Sequence, residues 1–400
     1  MRLFNTQSQS IEQFEVINGR VGIYTCGITP YDTTHAGHAF LFLTFDVLVR
    51  YLRDRGHDVT YVQNVTDIDD DILRKAAELG VPWDDLGRRE TAKYRTDMRN
   101  LNALDPDHYV AVTAHINEIV ALISQLVDRG VAYEVNGSVY YAVDKDPDFG
   151  KLSHIPRGGM LAVANERGNK PDDPNKRDPL DFVLWQAGAP GEPTWDSPWS
   201  KGRPGWHIEC SAMSMAYLGN TVDIHGGGYD LIFPHHECEI AQSEIATGVK
   251  PFARYWMHVA MVKYQGEKMS KSLGNLVLVS DVLKDSSADA FRLYLLSNHY
   301  RTEWEYEDDT IDQWASVAND LREAAEFPAY GVEDILDMSR QRQRFYDALD
   351  NDLDTPQAIT VLHEIAQAIL EAPEEDDIRQ AQDTLRALSD VLGLDLQGSR

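Results

Sequence analysis

The stretch VGIYTCGITPYDTTHAGHAFLFLTFDVLVRYLRDRGHDVTYVQNV, residues 21–65, decides the fold. It opens on VGIYTCG (21–27), a short apolar and β-branched run ending in glycine, which reads as a strand. Residues 37–55 then carry apolar side chains at helical spacing, and Gly56 stops the helix. DVTYVQNV (58–65) is a second strand, with a turn at Thr66 and Asp67. Strand, turn, helix and strand in this order predict a parallel α/β nucleotide-binding unit.

Outward from that unit, helical patterning continues over 68–79, 84–103 and 112–129, and EVNGSVYYAV (134–143) predicts a hairpin turning at Asn136 and Gly137. Residues 144–205 are rich in Gly, Pro, Asp and Lys and predict an inserted, partly irregular segment. Apolar α/β patterning returns at Trp206: TVDIHGG (221–227) and YWMHVAMV (255–262) read as strands, with a helix beginning near His235. From Asp289 onward the pattern is helical, broken at Pro328, Pro356 and Pro373. The expected division is a first catalytic half over 1–105, a connective insertion over 106–205, a second half over 206–288 and an acidic helical bundle over 289–400.

Composition narrows the class. Four hundred residues with 43% apolar and 26% charged side chains suit a soluble chain of two or three domains. The opening residues lack the layout of a signal peptide, and no apolar run approaches the roughly 20 residues that span a bilayer. Three cysteines make no disulfide framework, so a cytoplasmic chain without a membrane partner is expected. The net charge is −28, and residues 301–400 hold 25 acidic residues against 8 arginines and no lysine. Such a surface repels a phosphate backbone.

Two motifs suit polyphosphate. Thr34-His35-Ala36-Gly37-His38 follows the first strand and opens the helix, where free N–H groups and the positive dipole end receive an anion. His35 and His38 can bond to phosphate oxygens whose charge grows in a transition state. About 230 residues later comes Lys268-Met269-Ser270-Lys271-Ser272-Leu273-Gly274-Asn275, a cationic loop. A third set suits a metal: Cys26, Cys210 and His235 offer thiolate, thiolate and imidazole, and Glu239, one helical turn from His235, offers a carboxylate. Cys238 is an alternative ligand, with His236 beside it.

The first two motifs have the form and order of the HIGH and KMSKS signatures of class I aminoacyl-tRNA synthetases. Over residues 20–395 the chain resembles cysteinyl-tRNA synthetases in CGITPYD, HAGHA, NVTDIDDDIL, PGWHIECSAMSMAYLG, DIHGGGYDLIFPHHECEIAQSE and KMSKSLGN. It also resembles their paralogues, the cysteine:glucosaminyl-inositol ligases of mycothiol biosynthesis. CGITPYD, VQNVTD, the Glu166-Arg167-Gly168 segment (Asn169-Lys170 depart from it) and DLDTP are similar to the ligases, and the chain ends where a synthetase would continue into an anticodon-binding domain. Glu239, SAMSMAYLG and HHECEIAQSE are closer to the synthetases, and Phe40-Leu41 match neither family.

The resemblance implies a class I synthetase-type Rossmann catalytic domain with a connective insertion and a C-terminal helical bundle. It implies formation of cysteinyl-adenylate from L-cysteine and ATP with Mg²⁺, then ligation to glucosaminyl-inositol or, alternatively, to tRNA; the ligase reading expects a monomer that does not bind tRNA. One Zn²⁺ would sit on Cys26, Cys210 and His235, with Glu239 as a possible fourth ligand, and would tell cysteine from serine by favouring thiolate over alkoxide. Cys26, Gly27, Ile28, Thr29, Asn64, Val65, Thr66, Trp206, Gly228, Tyr229, Asp230 and Val262 would line the adenylate. His35 and His38 would stabilise the α-phosphate, and Lys268 and Lys271 the leaving pyrophosphate. Asp32, Asp67, Asp69 and Asp70, near predicted strand ends, are candidates to take the acceptor's proton or bind a sugar hydroxyl, or else serve as caps and loop carboxylates.

Overall fold

The computed structural model describes residues 1–31, 34–269 and 274–396. Asp32 and Lys271, both singled out above, lie outside the described residues. An antiparallel hairpin, β1 (Arg2–Asn5) and β2 (Ser10–Gln13), precedes the central strand β3 (Arg20–Ile28). Helix α1 (Ala36–Asp54) crosses to β4 (Asp58–Val65), which pairs parallel with β3. Helices α2 (Asp70–Leu79) and α3 (Trp83–Asn100) lead to β5 (His108–Ala111), a parallel neighbour of β4. The sheet therefore runs past the boundary expected at 105.

After α4 (Ile116–Asp128), β6 (Ala132–Val135) and β7 (Ser138–Tyr141) form the expected hairpin. Asn136 and Gly137 turn it with positive φ, 54° and 82°, as a two-residue hairpin turn requires. The segment 144–205 is more ordered than its composition suggests. Helix α5 (Arg157–Glu166) precedes β8 (Phe182–Ala187) and β9 (Gly202–Pro204), which complete an antiparallel sheet in the order β6-β7-β8-β9. Its glycines mark close approaches as well as turns: a Cβ on Gly205 would lie 2.0 Å from Val183 O.

The second half of the central sheet comes from α6 (Trp206–Leu218), β10 (Val222–Gly228), α7 (Glu237–Thr247) and β11 (Ala253–Val259). The order is β11-β10-β3-β4-β5, parallel throughout. From β3 the chain moves to β4 on one side; from β10 it moves to β11 on the other. The winding reverses between β3 and β10, and a doubly wound sheet opens its crevice at the carboxyl ends there. The single strand expected over 255–262 is two elements, because β11 ends at Val259 and Val262 begins β12 (Val262–Tyr264). β12 pairs with β13 (Glu267–Lys268) and β14 (Trp304–Glu305).

Helices α8 (Val279–Asp285), α9 (Ala288–Leu296), α10 (Ile311–Glu326), α11 (Ser339–Asp350), α12 (Thr355–Leu370) and α13 (Arg379–Val391) follow, interrupted by β14. The break expected at Pro356 falls between α11 and α12, and Pro356 starts the second helix. It sits in the first turn of α12, where no N–H partner is lost, and the Asp354 side chain caps the helix by accepting from Gln357 N. One apolar core joins α1 to the C-terminal helices; a second joins α4, α6, α7 and the inserted sheet. Among the described residues no helix is long and apolar enough to cross a membrane.

Candidate metal centre and nucleotide cleft

The register of β3 against β4 holds from Arg20↔Asp58 to Thr25↔Gln63 and then shifts before Ile28↔Val65. The irregularity falls on Cys26 and Gly27. Gly27 N donates to Asn64 Oδ1 at 2.8 Å, and a Cβ on Gly27 would lie 1.7 Å from Asn64 O. Only glycine allows this approach. Such a bulge re-aims a side chain, and here the Cys26 thiol meets groups from β10 and α7.

Those groups form a fully buried cluster. Cys26, Cys210, His235 and Glu239 bring one ligand atom each to within 4.8 Å of one another. Cys26 Sγ is 3.6 Å from Glu239 Oε1, and His235 Nε2 is 3.2 Å from the same oxygen. Tetrahedral zinc with bonds of about 2.0–2.3 Å needs ligand atoms at about this spacing. Cys26, His225, His236 and Glu239 form a second overlapping quartet: His236 Nε2 lies 3.2 Å and His225 Nε2 3.7 Å from Cys26 Sγ. Glu239 Oε2 lies 3.3 Å from His225 Nε2 but outside hydrogen-bond geometry, so this buried oxygen has no donor among the described residues. A buried carboxylate oxygen without a donor calls for a cation, so the residues fit a metal ion. Cys238 belongs to neither quartet.

The histidine orientations are fixed from outside. His235 Nδ1 meets His207 Nδ1 at 3.0 Å; His236 Nδ1 meets His258 Nε2 at 2.7 Å, and His258 Nδ1 meets Thr6 Oγ1 at 2.7 Å. Burial depresses all of these imidazoles, His207, His225 and His258 to about 3. They are therefore neutral, the form that ligates metal. Burial pushes Cys26 and Glu239 well up, so without a metal they hold their protons.

Beside the cluster lies a cavity of about 1000 Å³ lined by Gly27, Ile28, Thr29, His35, His38 and Trp206 among others. His35 caps α1, its Nδ1 accepting from Gly37 N at 3.1 Å, and its ring stacks on His38 at 3.9 Å. Backbone ties the first phosphate motif to the chain just after the second: Ala36 N donates to Val277 O at 2.8 Å and Val279 N to Thr34 O at 3.1 Å. Met269 and Leu276 line the same cavity. Lys268 Nζ pairs with Asp230 Oδ2 at 2.8 Å.

Other expected residues lie further out. Asn64, Val65, Thr66, Gly228, Tyr229, Asp230 and Val262 cluster at or just beyond the ends of β4, β10 and β11 but do not line the cavity. Trp206 stacks on His235 at 4.2 Å. Three of the four aspartates offered as proton acceptors or sugar ligands have structural partners. Asp67 accepts from Thr113 N at 3.0 Å and Thr113 Oγ1 at 2.6 Å, Asp69 caps α2 by accepting from Ile72 N at 2.9 Å, and Asp70 pairs with Arg203. The sequence reading missed His225, His207, His258 and Glu209. His225 had a signal, a histidine inside the otherwise apolar strand of VDIHGGG.

Fold and site together define a nucleotide-using enzyme of the class I synthetase type. Residues 13–316 match the family of tRNA synthetases class I (C) catalytic domain, and residues 344–397 match the DALR domain. The chain belongs to the class I synthetase family and, within it, to the group that includes the cysteine--tRNA ligases. It is 45% identical to a cysteine--tRNA ligase of Legionella pneumophila (strain Paris), over 98% of this chain and 85% of the relative. It is 46% identical to the L-cysteine:1D-myo-inositol 2-amino-2-deoxy-alpha-D-glucopyranoside ligase of Parafrankia sp. (strain EAN1pec), over 99% of this chain and 89% of the relative. The fold is similar to that of Mycobacterium tuberculosis methionyl-tRNA synthetase solved with methionyl-adenylate, with a TM-score of 0.65 at 16% identity over 93% of this chain and 89% of that one.

Proposed function

We propose that the chain activates L-cysteine with ATP as cysteinyl-adenylate, releasing pyrophosphate, and passes the cysteinyl group to the amine of glucosaminyl-inositol, releasing AMP. The observation that carries the first step is the buried set of two thiols, imidazole and carboxylate beside a cavity edged by His35 and His38. Zinc on Cys26, Cys210, His235 and Glu239 would supply a soft cationic position that prefers a thiolate to the hydroxyl of serine. The chain's own groups position the reactants. The N-terminus of α1, His35 and His38 stabilise charge growing on the α-phosphate. Lys268, once released from Asp230, and Lys271 receive the pyrophosphate. Gly27, Ile28, Thr29 and Trp206 hold the adenylate from the cavity wall, Cys26 and residues 64–66, 228–230 and 262 complete its site from the strand ends beside the cavity, and Mg²⁺ arrives with ATP. On this reading the enzyme works as a cytoplasmic monomer.

For the acceptor, the charge of residues 301–400 favours a small polyol amine over a polyanion. Transfer to tRNA is the second reading, favoured by the many relatives named as cysteine--tRNA ligases. The test is AMP release by zinc-loaded protein with cysteine, ATP and either acceptor. Turnover with the amino sugar alone is expected; turnover with cysteine tRNA alone would overturn the acceptor assignment and leave cysteine activation intact.

A further inference from the structure

One wall of the cavity carries more carboxylates than its structural bonds use. Asp69, Asp70 and Glu209 line it, and Asp67 lies close enough to act on Glu209 electrostatically. Asp67 holds Thr113, Asp69 caps α2 and Asp70 pairs with Arg203. Glu209 differs from these three. It is 1% exposed, its Oε2 has no hydrogen-bond donor among the described residues, and burial pushes its carboxyl well up, so without a bound cation it holds a proton that an arriving cation displaces. Arg203 acts on Glu209 electrostatically but makes its ion pairs with Asp70 and Glu192, the latter at 3.6 Å.

Helix periodicity explains the placement. Trp206, Glu209 and Cys210 share one face of α6; Trp206 stacks on His235, and Cys210 is a member of the metal cluster. A compound held by its thiol at that cluster presents its other polar groups to the same helix face. A buried carboxylate oxygen on a cavity wall with no donor is completed by a ligand that brings donors and positive charge.

We propose that Glu209 is the anionic anchor for a primary ammonium group bound in the cavity. The proposal rests on the cysteine-ligase reading, which offers two sources of that group: the α-ammonium of cysteine and the protonated amine of the acceptor. The experiment compares zinc-loaded wild-type protein with Glu209→Gln, titrating L-cysteine and 3-mercaptopropionate, which keeps the thiol and carboxylate and lacks only the ammonium. The wild type should bind cysteine tenfold or more tightly than 3-mercaptopropionate, about the worth of a charge-assisted hydrogen bond. Glu209→Gln should erase that preference at unchanged zinc content, and Glu209→Asp should keep part of it. Unchanged cysteine binding with a tenfold or larger rise in KM for glucosaminyl-inositol, and none for ATP, assigns the anchor to the acceptor and also supports the proposal. Equal weakening of both thiols, or no change in either thiol or in the acceptor KM, overturns it. Should Glu209→Gln fail to fold, a wild type that binds both thiols equally, with the acceptor KM unmoved in Glu209→Asp, overturns it as well. A wild type that prefers cysteine yet shows no cysteine-dependent pyrophosphate exchange contradicts the activation reading instead.

Discussion

Two buried polar clusters on opposite faces of the sheet are built on different rules. On the face covered by the C-terminal helices, Arg292 is fully buried and spends its donors inside the chain. It donates to Asp46 Oδ2 at 2.5 Å, to Leu101 O at 2.8 Å and to Leu392 O at 2.6 Å. Asp46 is completed by Leu104 N at 2.8 Å and Arg50 Nε at 3.2 Å. On the other face, Cys26, Cys210, His235 and Glu239 gather four potential ligands, and Glu239 Oε2 has no donor among the described residues. A buried charge matched from within ties elements together; a buried set of acceptors left unmatched is a binding site for something positive.

Substitutions sharpen the contrast. Cys210→Ala should drop zinc from about one per chain to almost none and cut cysteine-dependent pyrophosphate exchange by about 10³-fold, several kcal/mol of lost charge stabilisation; metal analysis and exchange kinetics check it. Arg292→Ala should do the reverse. It takes one of two arginines from buried Asp46, which keeps Arg50, and takes a donor from the Leu101 and Leu392 carbonyls, at a cost of about 3 kcal/mol in denaturant unfolding, while zinc per folded chain stays the same. Metal removal is gentler: wild-type protein in zinc at about 100 times Kd should gain about 2.7 kcal/mol over chelated protein, and Cys210→Ala should gain almost nothing.

The smallest effect concerns Asp69, which caps α2 on the cavity wall. Burial raises its carboxyl to about 6. The folded state then holds the proton more tightly than the unfolded chain. Asp69's contribution to stability is full below pH 4 and is lost as pH rises through about 6. Asp69→Asn keeps a good cap and removes the titration. The stability difference, wild type minus variant, should therefore fall by about 1–2 kcal/mol between pH 4 and 7; paired unfolding curves across that range measure it.

The Rossmann core was legible because its signals are local. β3, α1 and β4 appear as an apolar run, a helical period and a second run within 45 residues, and the structure keeps those bounds closely. The insertion is partly irregular as expected, but its strands β8 and β9 were not legible, because Gly202 and Gly205 serve close strand contact, which in sequence looks the same as a turn. Pro356 marks the break between α11 and α12 that the sequence suggests, and the Asp354 cap shows that it lies in the first turn of the second helix. At the site, ligand types could be read from the thiols and His235. The pairing of Cys26 with His225 and His236 could not, since it depends on the register shift at Gly27 and on the parallel pairing of β3 with β10. Glu209 was hidden because an acidic residue in a helix is ordinarily solvated; its unmatched oxygen exists only in three dimensions.

The most direct test of the central claim is pyrophosphate exchange by the wild-type chain with cysteine and with serine, before and after metal removal. Exchange with cysteine and not serine, lost on chelation and restored by zinc, is the expected result. Equal discrimination by metal-free protein, or exchange indifferent to cysteine, would contradict it.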